Sequence, residues 1–204
     1  ELVSNGRPNW VPPIWADEQV LFSSAKNPAC KVARTEKWLA VKDGNLAGRI
    51  MGIIHDEYNL KKGEKTARFF GLECINDTEV SHALLSKAEA WAKENGMERI
   101  VGPFGFSDKD PEGLQIEGFD HLPVIATATN APYLQALVEQ EGFSKLIDCV
   151  VYRVPVATGP PDSYGRIAER IRSRNRLSVT DFTSRRQLKP YVVPIFRLIN
   201  ETYK

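Results

Sequence analysis

The feature that most constrains the fold is a short break between two apolar runs. Trp38-Leu39-Ala40-Val41 leads into Lys42-Asp43-Gly44-Asn45, and the chain is apolar again from Leu46 to Ile54. Gly and Asn accept positive φ at little cost, so this spacing predicts a tight antiparallel hairpin. Strands joined this closely cannot be parallel neighbours, because a parallel pair needs a crossover of a dozen or more residues. A purely parallel, doubly wound sheet is therefore disfavoured.

The segments around the hairpin extend the pattern. The Pro-rich stretch Arg7-Pro8-Asn9-Trp10-Val11-Pro12-Pro13-Ile14-Trp15 reads as an extended arm, with Trp10 and Trp15 pinning it to the domain. A short helix is expected from Asp17 to Ser23, capped by Asp17, with Val20, Leu21 and Phe22 facing inward. The lysine-rich link Lys61-Lys62-Gly63-Glu64-Lys65 reads as a solvated loop, and a third strand follows at Thr66–Ile75. Val80, Ala83, Leu84, Ala88, Trp91 and Ala92 share one face at helical spacing, with Asn76 and Glu79 placed as a capping box and Gly96 as the stop. A strand is expected at Arg99–Gly102, a second helix from Asn130 to Gly142, and a last strand from Leu146 to Val154. The order hairpin, β, α, β, α, β implies an α+β fold, a mixed sheet flanked by helices.

The 204 residues are enough to bury a core without covalent staples. A net charge of +1 excludes a uniformly basic nucleic-acid binder. No apolar run reaches the length of a membrane span, so no membrane partner is expected. Cys30, Cys74 and Cys149 are odd in number and form no CxxC, and His55, His82 and His121 lie far apart. Neither disulfide framework nor metal site is expected, and a reduced cytoplasmic setting follows.

Residues 155–162 read as a linker, and 155–176 as linker plus a basic helix, about Ser163 to Arg174, carrying Arg166, Arg170, Arg172, Arg174 and Arg176. Aromatic interleaving is nearly absent there, which favours a solvated interdomain helix over a nucleic-acid contact. A strand at Leu177–Phe182 and a helix near Pro194 complete the chain.

An Asp-Gly hairpin leads into a Phe-rich strand, which runs into a helix bearing Ala83-Leu84-Leu85. A later helix ends in Glu141-Gly142-Phe143 before a strand carrying Tyr152. Together these resemble the GNAT acyltransferase superfamily. Trp10-Val11-Pro12-Pro13, Gly48-Arg49-Ile50, Gly102-Pro103 and Glu117-Gly118-Phe119-Asp120 are similar to the first half of bacterial proteins with two GNAT-like domains in tandem. The resemblance implies a GNAT-like domain over 1–154 and, at 177–204, the opening strand and helix of a second such domain, cut short.

It also implies a chemistry: acyl transfer from acetyl-CoA or another acyl-CoA to a small-molecule or peptide amine. In the family a glycine-rich turn at a helix start binds the pyrophosphate. Here Asn76, Glu79 and Ser81 occupy its positions, and carboxylates stand where phosphates would go. The family's acid, a tyrosine, aligns with Val138, which leaves Tyr133 as the candidate acid or else a core aromatic. Glu73, pointing opposite to Leu72 and Cys74, is the candidate base or else a solvent-facing or salt-bridged glutamate. Backbone amides at Leu72, Cys74 and Ile75, with Val80 and Ser81, are the expected cofactor contacts. Phe104, Ser107 and Asp108 on the loop leaving the fourth strand are the expected substrate contacts. The alternative is a non-catalytic module presenting substrate to a second GNAT-like domain of the same chain, or pairing as a homo-oligomer.

Overall fold

The computed structural model describes residues 7, 9–125, 127–155, 159, 161–173 and 179–202. The chain divides into two compact units, Glu1–Ile147 and Asp148–Lys204. The first unit is built on the hairpin. Strands β1 (Arg34–Lys42) and β2 (Asn45–Ile54) pair antiparallel, with Lys42 opposite Asn45 across the turn. Asp43 and Gly44 both take positive φ, 51° and 76°, as the two-residue turn demands. Strand β3 (Thr66–Cys74) adds antiparallel to β2, and β4 (Arg99–Val101) adds parallel to β3. The mixed sheet thus runs β1-β2-β3-β4.

Helix α1 (Trp15–Leu21) starts two residues earlier than expected, after Ile14 and without a side-chain cap. Leu21 and Phe22 pack inward, but Val20 and Trp15 are exposed, so Trp10 alone of the two tryptophans is tucked in. Pro8 lies outside the described residues. Helix α2 (Asp56–Lys62) takes in the first two lysines of the lysine-rich link, and only Gly63, Glu64 and Lys65 connect it to β3 as a loop. Acids at its start, lysines at its end and Gly63 in the left-handed conformation as C-cap supply the helix signals.

Helix α3 (Thr78–Glu94) lies across one face of the sheet. Its buried residues Val80, Leu84, Leu85 and Ala88 join Ile50, Phe69, Leu72 and Cys74 in the main core. Close approach is possible because Gly52 has no side chain; a Cβ there would lie 2.7 Å from the Trp91 ring. Helix α4 (Leu134–Gln140) is shorter than expected and buries Leu134, Leu137 and Val138 in the same core. Val138 is therefore a packing residue. On the opposite face Met51, Ile53 and Phe70 pack with Leu21, Phe22 and Phe106.

The expected strand at 146–154 does not form. Those residues are irregular, and Leu146, Ile147, Val150, Val151, Tyr152 and Val154 are exposed. Their alternation is strand-like, but no ladder partner completes it.

The second unit holds α5 (Asp162–Ser173), α6 (Arg185–Leu188) and α7 (Val192–Thr202). The basic helix and the helix at Pro194 are present. Residues 179–182 form no strand, and 177 and 178 lie outside the described residues. No helix among the described residues is long and apolar enough to cross a membrane.

Candidate functional site

Strand β3 is interrupted where it matters most. Arg49 of β2 faces Glu73, yet Met51, two residues on, faces Phe70, so β3 carries one extra residue. Gly71 takes φ 62° at this bulge, a conformation that a side chain would strain. On its other edge, β3 pairs with β4 only through Thr66, Ala67 and Arg68. Beyond Arg68 and Val101 the two parallel strands part, apart from one bond, Phe104 N–H to the Phe69 carbonyl at 2.8 Å. The carboxyl ends of diverging parallel strands are where open α/β sheets hold ligands.

A cleft of about 190 Å³ opens there. Phe70, Gly71, Leu72 and Glu73 of β3 form one wall, and Pro103, Pro111, Gly113 and Leu114 another. The N-terminal arm contributes Trp10, Val11 and Pro13, and Thr127, Thr129 and Asn130 bring hydroxyls and an amide. Asn130 is itself buried and fixed: its side chain accepts from Gln115 N–H at 2.6 Å and donates to the Gln115 and Ala131 carbonyls.

The charged part of the cleft is a three-residue array. Arg49 sits between two carboxylates, with Nη2 3.3 Å from Glu73 and Nη1 3.6 Å from Glu18 of α1. Its guanidinium stacks 5.0 Å over the Phe22 ring, and its Nε is buried with no hydrogen-bond partner. Glu73 is paired with Arg49 and half-exposed on the cleft wall. The side chain does point away from Leu72 and Cys74, which lie in the α3-facing core.

The loop after β4 is held from below. Arg68 is buried, sandwiched between the rings of Phe104 (3.9 Å) and Tyr58 (5.0 Å), and donates to the carbonyls of Gly105 (2.9 Å) and Phe106 (3.3 Å). Burial lowers the pKa of this guanidinium. Asp110 accepts from the Phe106 and Ser107 amides at 2.7 and 3.1 Å. Of the expected substrate contacts, Phe104 is thus spent on Arg68. Ser107 Oγ accepts from Lys109 N–H, and Asp108 pairs with Lys109 on the surface. Their neighbours Pro103 and Pro111, rather than these three, line the cleft.

Of the expected cofactor contacts Leu72 lines the cleft, and Cys74, Ile75, Val80 and Ser81 are placed elsewhere. Asp77, not Asn76, caps α3, accepting from Glu79 and Val80 N–H at 2.9 and 3.3 Å. Lys42 Nζ bridges Asp77 (2.5 Å) and Glu79 (2.8 Å). The ammonium, and then the two amides, hold the Asp77 carboxyl below the usual range, and the same pairing raises Lys42. Val80 and Ser81 are buried, with Ser81 Oγ donating to the Thr78 carbonyl. Ile75 N–H goes to the Ala47 carbonyl at 2.9 Å. The helix start is therefore closed by its own acid and one lysine. Tyr133 packs beside the core and donates its hydroxyl to the Cys74 carbonyl at 2.8 Å; burial raises its pKa. It is not on the cleft wall. Burial also pushes the Cys74 thiol up to about 11, so at neutral pH it is an inert core group. Among the described residues no group of three or more His, Cys, Asp or Glu could hold a metal ion.

Sequence reasoning passed over Glu18, Arg68 and the role of Arg49. The signal for the two arginines was available: each is a cation inside an otherwise apolar strand. Nothing local marks Glu18.

The structure thus defines an α+β unit with a small open cleft where its parallel strands diverge. No family model and no solved structure matches the chain. It is similar to Protein YghO of Escherichia coli (strain K12), 36% identical over 145 residues, 71% of this chain and 37% of that protein. It is also similar to Bacterial ceramide synthase of Caulobacter vibrioides (strain NA1000 / CB15N), 27% identical over 165 residues, 80% of this chain and 43% of that protein. The chain spans well under half the length of both curated relatives.

Proposed function

We propose that this chain belongs to an N-acyltransferase of GNAT-like type and that the β3–β4 cleft holds its amine acceptor. One observation carries the reading: the Gly71 bulge and the parting of β3 from β4 open a cleft with a carboxylate, Glu73, on its wall. The mixed sheet flanked by helices is compatible with a GNAT-like fold. The similarity to a protein named ceramide synthase supports the reaction class, because ceramide is by definition an amide formed on a long-chain amino alcohol.

In this reading the acyl group arrives as a thioester of coenzyme A. A bound ammonium first gives up one proton through Glu73 to water; the amine nitrogen then attacks the carbonyl carbon, the carbon–sulfur bond breaks, and the sulfur leaves as a thiolate that water protonates. Glu73 takes the proton that nitrogen sheds, and Arg49 holds its carboxylate in place. General base catalysis of this kind is worth about 10²–10⁴-fold. The test is amide formation from palmitoyl-CoA and octylamine, scored by mass spectrometry. Glu73→Gln is expected to cut the rate by about 10² or more; an unchanged rate would overturn the assignment.

A second reading is supported by the closed start of α3. With Asp77 and Glu79 engaged by Lys42, no free amide turn faces a pyrophosphate there. The chain would then present the acceptor while another part of the protein grips coenzyme A. In that case the chain gives no thermal shift with millimolar coenzyme A, and an Asn76→Arg/Glu79→Gly variant gains one. Saturable binding by the unaltered chain would sink this reading.

A further inference from the structure

The array in the cleft has an unbalanced charge. Two carboxylates, Glu18 and Glu73, flank one guanidinium, and Arg49 is the sole cation among the described residues lining the cleft. The contacts of 3.6 and 3.3 Å are longer than the ~2.7–2.9 Å of a tight charge-assisted hydrogen bond. Arg49 reaches the two acids at these longer distances with its guanidinium over the Phe22 ring and its Nε buried. Each acid therefore keeps acceptor capacity directed at the cleft. The surrounding walls are apolar: Val11, Phe22, Phe70, Leu72 and Leu114.

Resting on the cleft reading above, we propose that Glu18 and Glu73 form an ammonium-recognising pair, and that the cleft selects primary alkyl amines in their cationic form. An ammonium offers three donors and a full charge to two carboxylates that a single guanidinium leaves partly unmet. A carboxylate or phosphate ligand would face like charge from both. A neutral alcohol offers one donor and no charge. The alkyl part is held by the apolar walls, where burial of each CH₂ contributes about 0.8 kcal/mol. Glu18 is a specificity residue in this scheme. It comes from α1, a separate element from the strand that carries Glu73, so the N-terminal segment completes the site.

The test is calorimetric titration of the 204-residue chain with octylamine, 1-octanol and octanoate at neutral pH. Octylamine is expected to bind at least about tenfold more tightly than octanol, the scale of hydrogen bonds to charged groups, and octanoate not measurably. Glu18→Gln and Glu73→Gln should each weaken octylamine about tenfold while leaving octanol binding and the melting temperature unchanged. Retained octanol binding shows that the apolar cleft is intact in each variant. Equal affinity for amine and alcohol, or an unchanged amine affinity in Glu18→Gln, overturns the proposal. Selective amine binding without amide formation would remove the acyl-transfer reading and leave the ammonium pair standing. Amide formation lost in Glu73→Gln without amine selectivity would do the reverse.

Discussion

The two faces of the sheet are built from alternate residues of the same strands, yet they do different work. The face under α3 is closed: Ile50, Phe69, Leu72, Cys74, Leu84 and Leu85 are all buried and apolar. The other face begins the same way, with Met51, Ile53 and Phe70, and then admits Arg68, Arg49 and Glu73. Charged residues in a strand cost stability unless partnered. Each of these has a partner: rings and carbonyls for Arg68, two carboxylates and a ring for Arg49, and Arg49 itself for Glu73. The closed face is where stability resides, and the open face is where ligand chemistry is possible.

That contrast can be broken from either side. Phe69→Ala, on the closed face and fully buried, is expected to cost about 3–5 kcal/mol, measured by urea denaturation. Arg68→Met should cost less, about 1–3 kcal/mol, because it strips donors from the Gly105 and Phe106 carbonyls. It should also raise hydrogen exchange in residues 104–110 without affecting α3. Glu73→Gln removes only a half-exposed ion pair and should change stability by no more than about 1 kcal/mol, whatever it does to activity. A loss as large as that of Phe69→Ala would mean that Glu73 is a structural residue and the two faces are not separable in this way.

The helix start supplies a pH test. Asp77 is held below its ordinary value in the folded chain by Lys42 and the α3 amides. A depressed carboxylate contributes stability that is fully present above the unfolded pKa and is lost as pH falls through the folded one. Stability should therefore decline on the acid side of about pH 4, and Asp77→Asn, which still caps a helix, should flatten that decline. The smallest effect is kinetic. Iodoacetamide should modify exposed Cys149 well before buried Cys74, whose thiol is pushed up to about 11.

Much of the sheet was legible because its signals are local. The Asp43-Gly44 turn, the apolar strands around it and the long α3 stripe each specify a structure without reference to distant residues. The reading failed where tertiary pairing decides. Residues 146–154 alternate like a strand, but a strand exists only with a neighbour. Lys61 and Lys62 read as loop because they are solvated, although such lysines suit a helix C-terminus. At α3, Asn76 and Glu79 have capping-box spacing, yet Asp77 is the cap, one residue along. In the site, the direction of Glu73 followed from strand alternation. Its partner Arg49 lies opposite only through the β2–β3 register, and Glu18 arrives by tertiary packing of α1. Neither relation is written in local sequence.

The central claim is that ligand chemistry belongs to the cleft between β3 and β4 and not to the start of α3. Backbone amide chemical-shift mapping with octylamine tests it most directly. The account predicts perturbations at Glu18, Arg49, Gly71, Glu73 and Asn130, with Thr78–Ser81 unmoved. Shifts centred on Thr78–Ser81, or absent from the cleft at saturating amine, would contradict it.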